Sequence, residues 1–143
     1  PYIPKLSKSD VVQRHPPVNV TGLHRRNSQQ FGNLSDDVQL YLDQGSSVIS
    51  LIYLCEPFFA AQEGQIITAS ANSKPDINVR HAVIAVGYGQ TPDGRCFLIR
   101  NSWGGQWADN GYAWIAGDLF ESSLFDIALL KDGSYVSSNT IAA

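Results

Sequence analysis

His81-Ala82-Val83-Ile84-Ala85-Val86-Gly87-Tyr88-Gly89 is followed, after Thr91-Pro92-Asp93-Gly94 and the run Cys96 to Arg100, by Asn101-Ser102-Trp103-Gly104-Gly105-Gln106-Trp107. The first run is apolar and rich in branched residues, as strands are, and Thr-Pro-Asp-Gly is a turn sequence with a mechanism: proline presets φ and glycine ends the turn. The stretch therefore predicts a hairpin, His81 to Tyr88 against Cys96 to Arg100, that opens into a glycine-rich loop. Downstream, Gly111 to Ile115 and Leu124 to Leu130 continue the strand series.

Upstream the same logic gives fewer and weaker elements. Ser35 is placed to cap a helix whose apolar positions Val38, Tyr41 and Leu42 fall three and four apart, with Gly45 as its left-handed stop. Ser47 to Cys55 is nearly all apolar and predicts a strand covered on both faces. Pro57 opens a short helical turn through Gln62, Gly64 ends it, and Gln65 to Thr68 forms another strand. Ala69 to Val79 reads as a polar loop. Residues 1–33 read as an edge strand or entry arm, with strand character at Val11-Val12 and Val18 to Leu23, and Pro16-Pro17 barring an unbroken central strand. Residues 131–143 read as a flexible tail. The fold class is mainly β, α+β in composition: an antiparallel, partly open barrel with one full helix and short helical turns, forming a single domain over residues 1–143.

Composition restricts the function classes. A chain of 143 residues, 43% hydrophobic and 16% charged, buries one core. A formal net charge of -3 and no basic run beyond Arg25-Arg26 give no footprint for nucleic acid or an anionic membrane. The apolar run Val48 to Cys55 falls far short of the ~20 residues that span a bilayer, so a soluble domain is expected. There is no methionine. Pro1 is accordingly not a retained translation start, and the chain is expected to be a processed product, an excised piece or part of something longer. Two cysteines make neither a disulfide framework nor a zinc site; no metal and no cofactor are expected. Two sequons, at Asn19 and Asn33, are too short a pattern to carry weight.

Taken singly, a histidine that opens an apolar strand is usually structural, an asparagine at a strand end is a turn residue, and Trp103, Trp107 and Trp114 are packing aromatics or exposed patches. Together they make a constellation. His81 is placed to act as general base and acid, and the Asn101 side-chain oxygen can accept from its ring and fix one tautomer without adding charge.

The pattern, completed by Asn110-Gly111-Tyr112, resembles the histidine and asparagine motifs of the papain-like cysteine proteases, in their C-terminal, right-hand, barrel-like domain. The resemblance runs from Asp36 to about Ile115. It implies that His81 and Asn101 are catalytic, that Trp103 covers the bond between them, and that Trp107 lines the side of the cleft receiving the leaving part of the substrate. More weakly, it implies that Ile49 and Ala82 border the pocket for the second residue before the cut. The family places its cysteine roughly 130 to 150 residues upstream of these partners. The nucleophile, with the glutamine donor of the oxyanion hole, is thus expected on an N-terminal cysteine-bearing portion, which becomes a partner alongside a peptide or protein substrate. The chain alone is expected to be inactive. A secreted or lysosomal/vacuolar setting is compatible with the resemblance.

Departures are visible. Arg80 stands where the family more often has an acidic or amide residue, and a cation pointing inward there would disfavour a protonated imidazole. Cys55 and Cys96 are weak substitutes for the nucleophile: Glu56 opposes a Cys55 thiolate, and Cys96 sits in a strand where free cysteine acts as a small hydrophobe. Two other classes stay open, a catalytically inactive relative used as a binding or regulatory module and an acyl transferase that is not a protease.

Overall fold

The computed structural model describes residues 19–25 and 33–131; the Val11-Val12 segment, the other parts of the entry arm outside 19–25 and 33, and the expected tail after residue 131 lie outside them. Residues Val20–Leu130 make up one unit. Among the described residues, seven strands form one open sheet: β1 (Asn19–Arg25), β2 (Val48–Leu54), β3 (Ile66–Ile67), β4 (Asp76–Thr91), β5 (Gly94–Arg100), β6 (Tyr112–Ala116) and β7 (Leu124–Lys131), in the order β1-β7-β2-β4-β5-β6-β3. Among the described residues three helices accompany them: α1 (Leu34–Asp43), α2 (Glu56–Phe59) and α3 (Gly117–Ser123).

The mainly β reading holds, and the hairpin series holds from β4 through β6, whereas the Leu124 to Leu130 strand, β7, pairs with β2 and not with β6. β4 and β5 pair antiparallel from Ile84↔Arg100 to Thr91↔Gly94, leaving Pro92 and Asp93 as the turn. β2 pairs antiparallel with β4 and β7, and β5 with β6. The exception is β3, which pairs parallel with β6, Ile66 against Trp114. With β1 and β3 at its two edges the sheet is mixed and does not close.

Helix α1 ends as its sequence predicts. Gly45 takes φ +83°, its N–H donates to Leu42 O at 2.9 Å and the Ser46 N–H donates to Tyr41 O at 3.0 Å, a Schellman ending. Its start differs from expectation. Asn33, not Ser35, is the N-cap residue and makes no side-chain cap bond. Ser35 lies inside the first turn, fully buried; its N–H donates to Glu121 Oε2 at 2.8 Å, so a carboxylate from α3 does the capping. That frees the Ser35 hydroxyl to accept from Arg95 Nη2 at 2.8 Å, while Nη1 reaches Asp36 and Gln39 at 2.8 and 2.7 Å and ties α1 to β5.

Three further differences are local. β2 alternates buried and partly buried residues, so only one of its faces is fully covered: Val48, Ser50, Ile52 and Leu54 face the core. β4 begins at Asp76, inside the stretch read as a loop, and the register jumps from Tyr53↔Arg80 to Leu54↔Asp76, which bulges 77–79 outward just before His81. The polar surroundings of Asp76 to Val79 hid its alternation. Helix α3 was not expected, because Gly117 and two serines mask its apolar residues. Leu119 and Phe120 are 1% and 0% exposed, and they pack the core with Phe97, Ile99, Ile115 and Ile127.

Candidate active site

The site is built by β4 and the end of β5. His81 stands across from Ile52 on the core-facing side of β4 but near the strand's open end, so its ring is only partly buried. Asn101 follows the last residue of β5, and its N–H donates to Gly111 O at 2.8 Å, which pins the mouth of the loop 102–110. Gly111 holds φ +88° and is buried; a Cβ there would come within 3.3 Å of Gly104 O, so the loop base closes only around glycine.

The two side chains meet. His81 Nε2 lies 2.7 Å from Asn101 Oδ1, and the same oxygen accepts the Ser102 N–H at 2.8 Å. A backbone N–H can only donate, so the carboxamide orientation is set by Ser102. An oxygen facing the ring requires Nε2 to carry the proton in neutral imidazole and leaves Nδ1 as the acceptor. Asn101 is 7% exposed, shielded from competing water.

Trp103 covers the pair, its ring 4.8 Å from that of His81. It remains 40% exposed and stacks on Phe59, itself 56% exposed, with centroids 5.4 Å apart. Trp107 is buried behind this surface and donates from Nε1 to Phe58 O at 3.2 Å. The exposed aromatic wall is therefore Trp103 with Phe59. Neither Phe58 nor Phe59 was singled out from sequence; a pair of phenylalanines in a four-residue helix leaves no periodic signal, only the bare Phe-Phe doublet.

The remaining sequence candidates lie elsewhere. Ala82 pairs directly with Leu51, and Ile49 with Ile84. By strand alternation these four share the sheet face opposite the His81 ring. Arg80 shares it too: it is exposed, stands across from Tyr53 and lies 5.6 Å above the Phe125 ring. Its charge points away from the imidazole. Cys55 and Cys96 are free and buried. Burial pushes the Cys55 thiol up, against an opposing pull from the Phe58 backbone N–H, and Cys96 Sγ contacts Gly89 O at 3.6 Å. Among the described residues no helix is long and apolar enough to cross a membrane.

An imidazole oriented by a carboxamide beneath an indole is an arrangement of the kind in which thiol-dependent acyl-transfer enzymes hold a general base. The model of the papain family of cysteine proteases matches residues 9–125, and the chain belongs to that family. It is 49% identical over 47 residues to a thiol protease aleurain-like of Arabidopsis thaliana, an alignment covering 33% of this chain and 13% of that protein. It is 28% identical over 121 residues to the oryzain gamma chain of Oryza sativa subsp. japonica, covering 78% of this chain and 33% of that one. Among solved structures it superposes on the bromelain protease of Ananas comosus in complex with the E64 inhibitor, with TM-score 0.54 and 20% identity over 78% of this chain and 50% of that one. The chain spans about a third or less of the length of these two curated relatives.

Proposed function

We propose that this chain supplies the histidine and asparagine of a papain-like cysteine peptidase, and that a separate cysteine-bearing portion supplies the nucleophile and the oxyanion-hole glutamine. The observation that carries the reading is the 2.7 Å contact between His81 Nε2 and Asn101 Oδ1 beneath Trp103. With Nε2 engaged, Nδ1 takes the thiol proton and the pair rests as thiolate and imidazolium. The thiolate adds to the peptide carbonyl, the imidazolium protonates the leaving amine, and the neutral ring then takes a proton from the water that releases the acyl group. Asn101 holds the ring through each transfer and takes no proton itself. Both thiols of this chain are buried, which supports a nucleophile that comes from the other portion.

The aromatic wall of Trp103 and Phe59 suits the leaving side of the substrate, with Trp107 bracing it from behind. Ala82 and Ile49 remain the proposed apolar border of the pocket for the second residue before the cut, on the outer face of the β2–β4 ladder. The test is reconstitution: this chain, combined with a cysteine-bearing papain-family portion, is expected to cleave a peptide substrate that neither piece cleaves alone. His81→Ala is expected to abolish cleavage, and cleavage that survives it overturns the reading. The buried thiols equally favour a second reading, an inactive binding or regulatory relative, for which no cysteine-bearing portion restores cleavage.

A further inference from the structure

We propose that Phe58 is a positioning residue that sets the ring orientation of His81 and holds Trp103 over it. The inference deepens the peptidase reading and rests on it for its catalytic consequence. Phe58 is 2% exposed and touches all three rings of the site. Its centroid lies 6.0 Å from His81 at 72°, 5.4 Å from Trp103 at 89° and 5.0 Å from Trp107 at 32°. The first two are edge-to-face contacts, in which the positive rim of one ring meets the negative face of another.

Trp103 sits in a loop followed by Gly104 and Gly105, with Phe59 stacked on it and Trp107 meeting it edge-on at 6.0 Å and 86°. The ring contacts of His81 are instead with Phe58 and Trp103, and its bond to Asn101 restrains one point of the imidazole. Phe58 restrains the rest of the ring because it is itself fixed. Its N–H donates to Cys55 O at 3.1 Å, and its carbonyl accepts from Trp107 Nε1 at 3.2 Å. One buried ring thus registers the base, the lid and the indole behind the lid against a single backbone segment.

The experiment is imidazole NMR on the full 143-residue chain, reading the His81 tautomer from ring nitrogen shifts and the solvent exchange of its Nε2 proton. Phe58→Leu is expected to speed that exchange by roughly 2- to 10-fold per lost ring contact and to mix the tautomers. Phe120→Leu, which opens the core among α3 residues, is expected to leave both signals unchanged. Trp107→Phe, which keeps an aromatic ring but deletes the bond to Phe58 O, is expected to change them in the same direction as Phe58→Leu and by less; it serves if Phe58→Leu does not fold. The proposal is overturned if folded Phe58→Leu or Trp107→Phe keeps the wild-type signals, or if Phe120→Leu alters them equally. These signals exist whether or not His81 catalyses anything, so failure here is distinct from failure of the peptidase reading, which turns on His81→Ala after reconstitution.

Discussion

Arg80 and His81, adjacent in sequence, leave β4 on opposite faces of the sheet: the guanidinium lies over the Phe125 ring and the imidazole lies under Trp103. Backbone alternation therefore separates a fixed cation from the acid–base group next to it. Arg80→Gln removes an exposed cation–π contact worth at most about 1 kcal/mol. Urea unfolding is expected to register no more than that, and the imidazole NMR signals of His81 are expected to stay as in the parent chain. A changed His81 tautomer would show that the two faces communicate.

Asn101→Ala removes the acceptor shared by His81 Nε2 and the Ser102 N–H. Stranding donors at a largely buried position costs about 1–3 kcal/mol each, so a clear drop in unfolding midpoint is expected. In the reconstituted peptidase the loss of ring orientation is expected to lower turnover by ~10-fold or more. Parallel measurement of stability and of turnover at saturating substrate separates the two effects.

Gly117 packs the start of α3 against β5 so closely that a Cβ would lie 2.7 Å from Arg95 O. The obstacle is a backbone atom, which no rotamer change can move aside. Gly117→Ala is expected to destabilise by about 1–3 kcal/mol despite alanine's better helix propensity, as read by denaturant titration. A neutral or stabilising result would mean that α3 can shift along the sheet.

Cys55 provides a pH test. Burial raises its thiol above the ordinary range, so the folded chain keeps its proton where the unfolded chain has lost it. This contribution to stability is complete below the ordinary thiol value and disappears as pH rises through the raised folded value. Iodoacetamide at neutral pH is expected to label neither cysteine in the folded chain and both after denaturation, counted by mass spectrometry. Fast labelling of Cys55 in the native chain would return it to consideration as a nucleophile.

Legibility in the sequence followed the range of the interaction. The β4–β5 hairpin and the α1 terminus could be read because Thr91 to Gly94 and Gly45 carry their backbone geometry in neighbouring residues. The meeting of His81 with Asn101 could be read because the hairpin that joins them is short. What stayed hidden depends on distant partners. Ser35 looks like a cap until Glu121 takes that task and Arg95 claims its hydroxyl. The parallel pairing of Ile66 with Trp114 leaves no trace in local alternation. Phe58 and Phe59 differ by one position, yet one is buried among three rings and the other is solvent-facing; only the tertiary setting of α2 distinguishes them.

The 4.8 Å between the His81 and Trp103 rings also has an expected optical consequence. A protonated imidazole in contact with an indole withdraws excited-state energy, whereas a neutral one scarcely does. Of the three tryptophans, Trp103 has the His81 ring at its face, so a change in the charge of the candidate base is expected to change the emission intensity of the unlabelled chain.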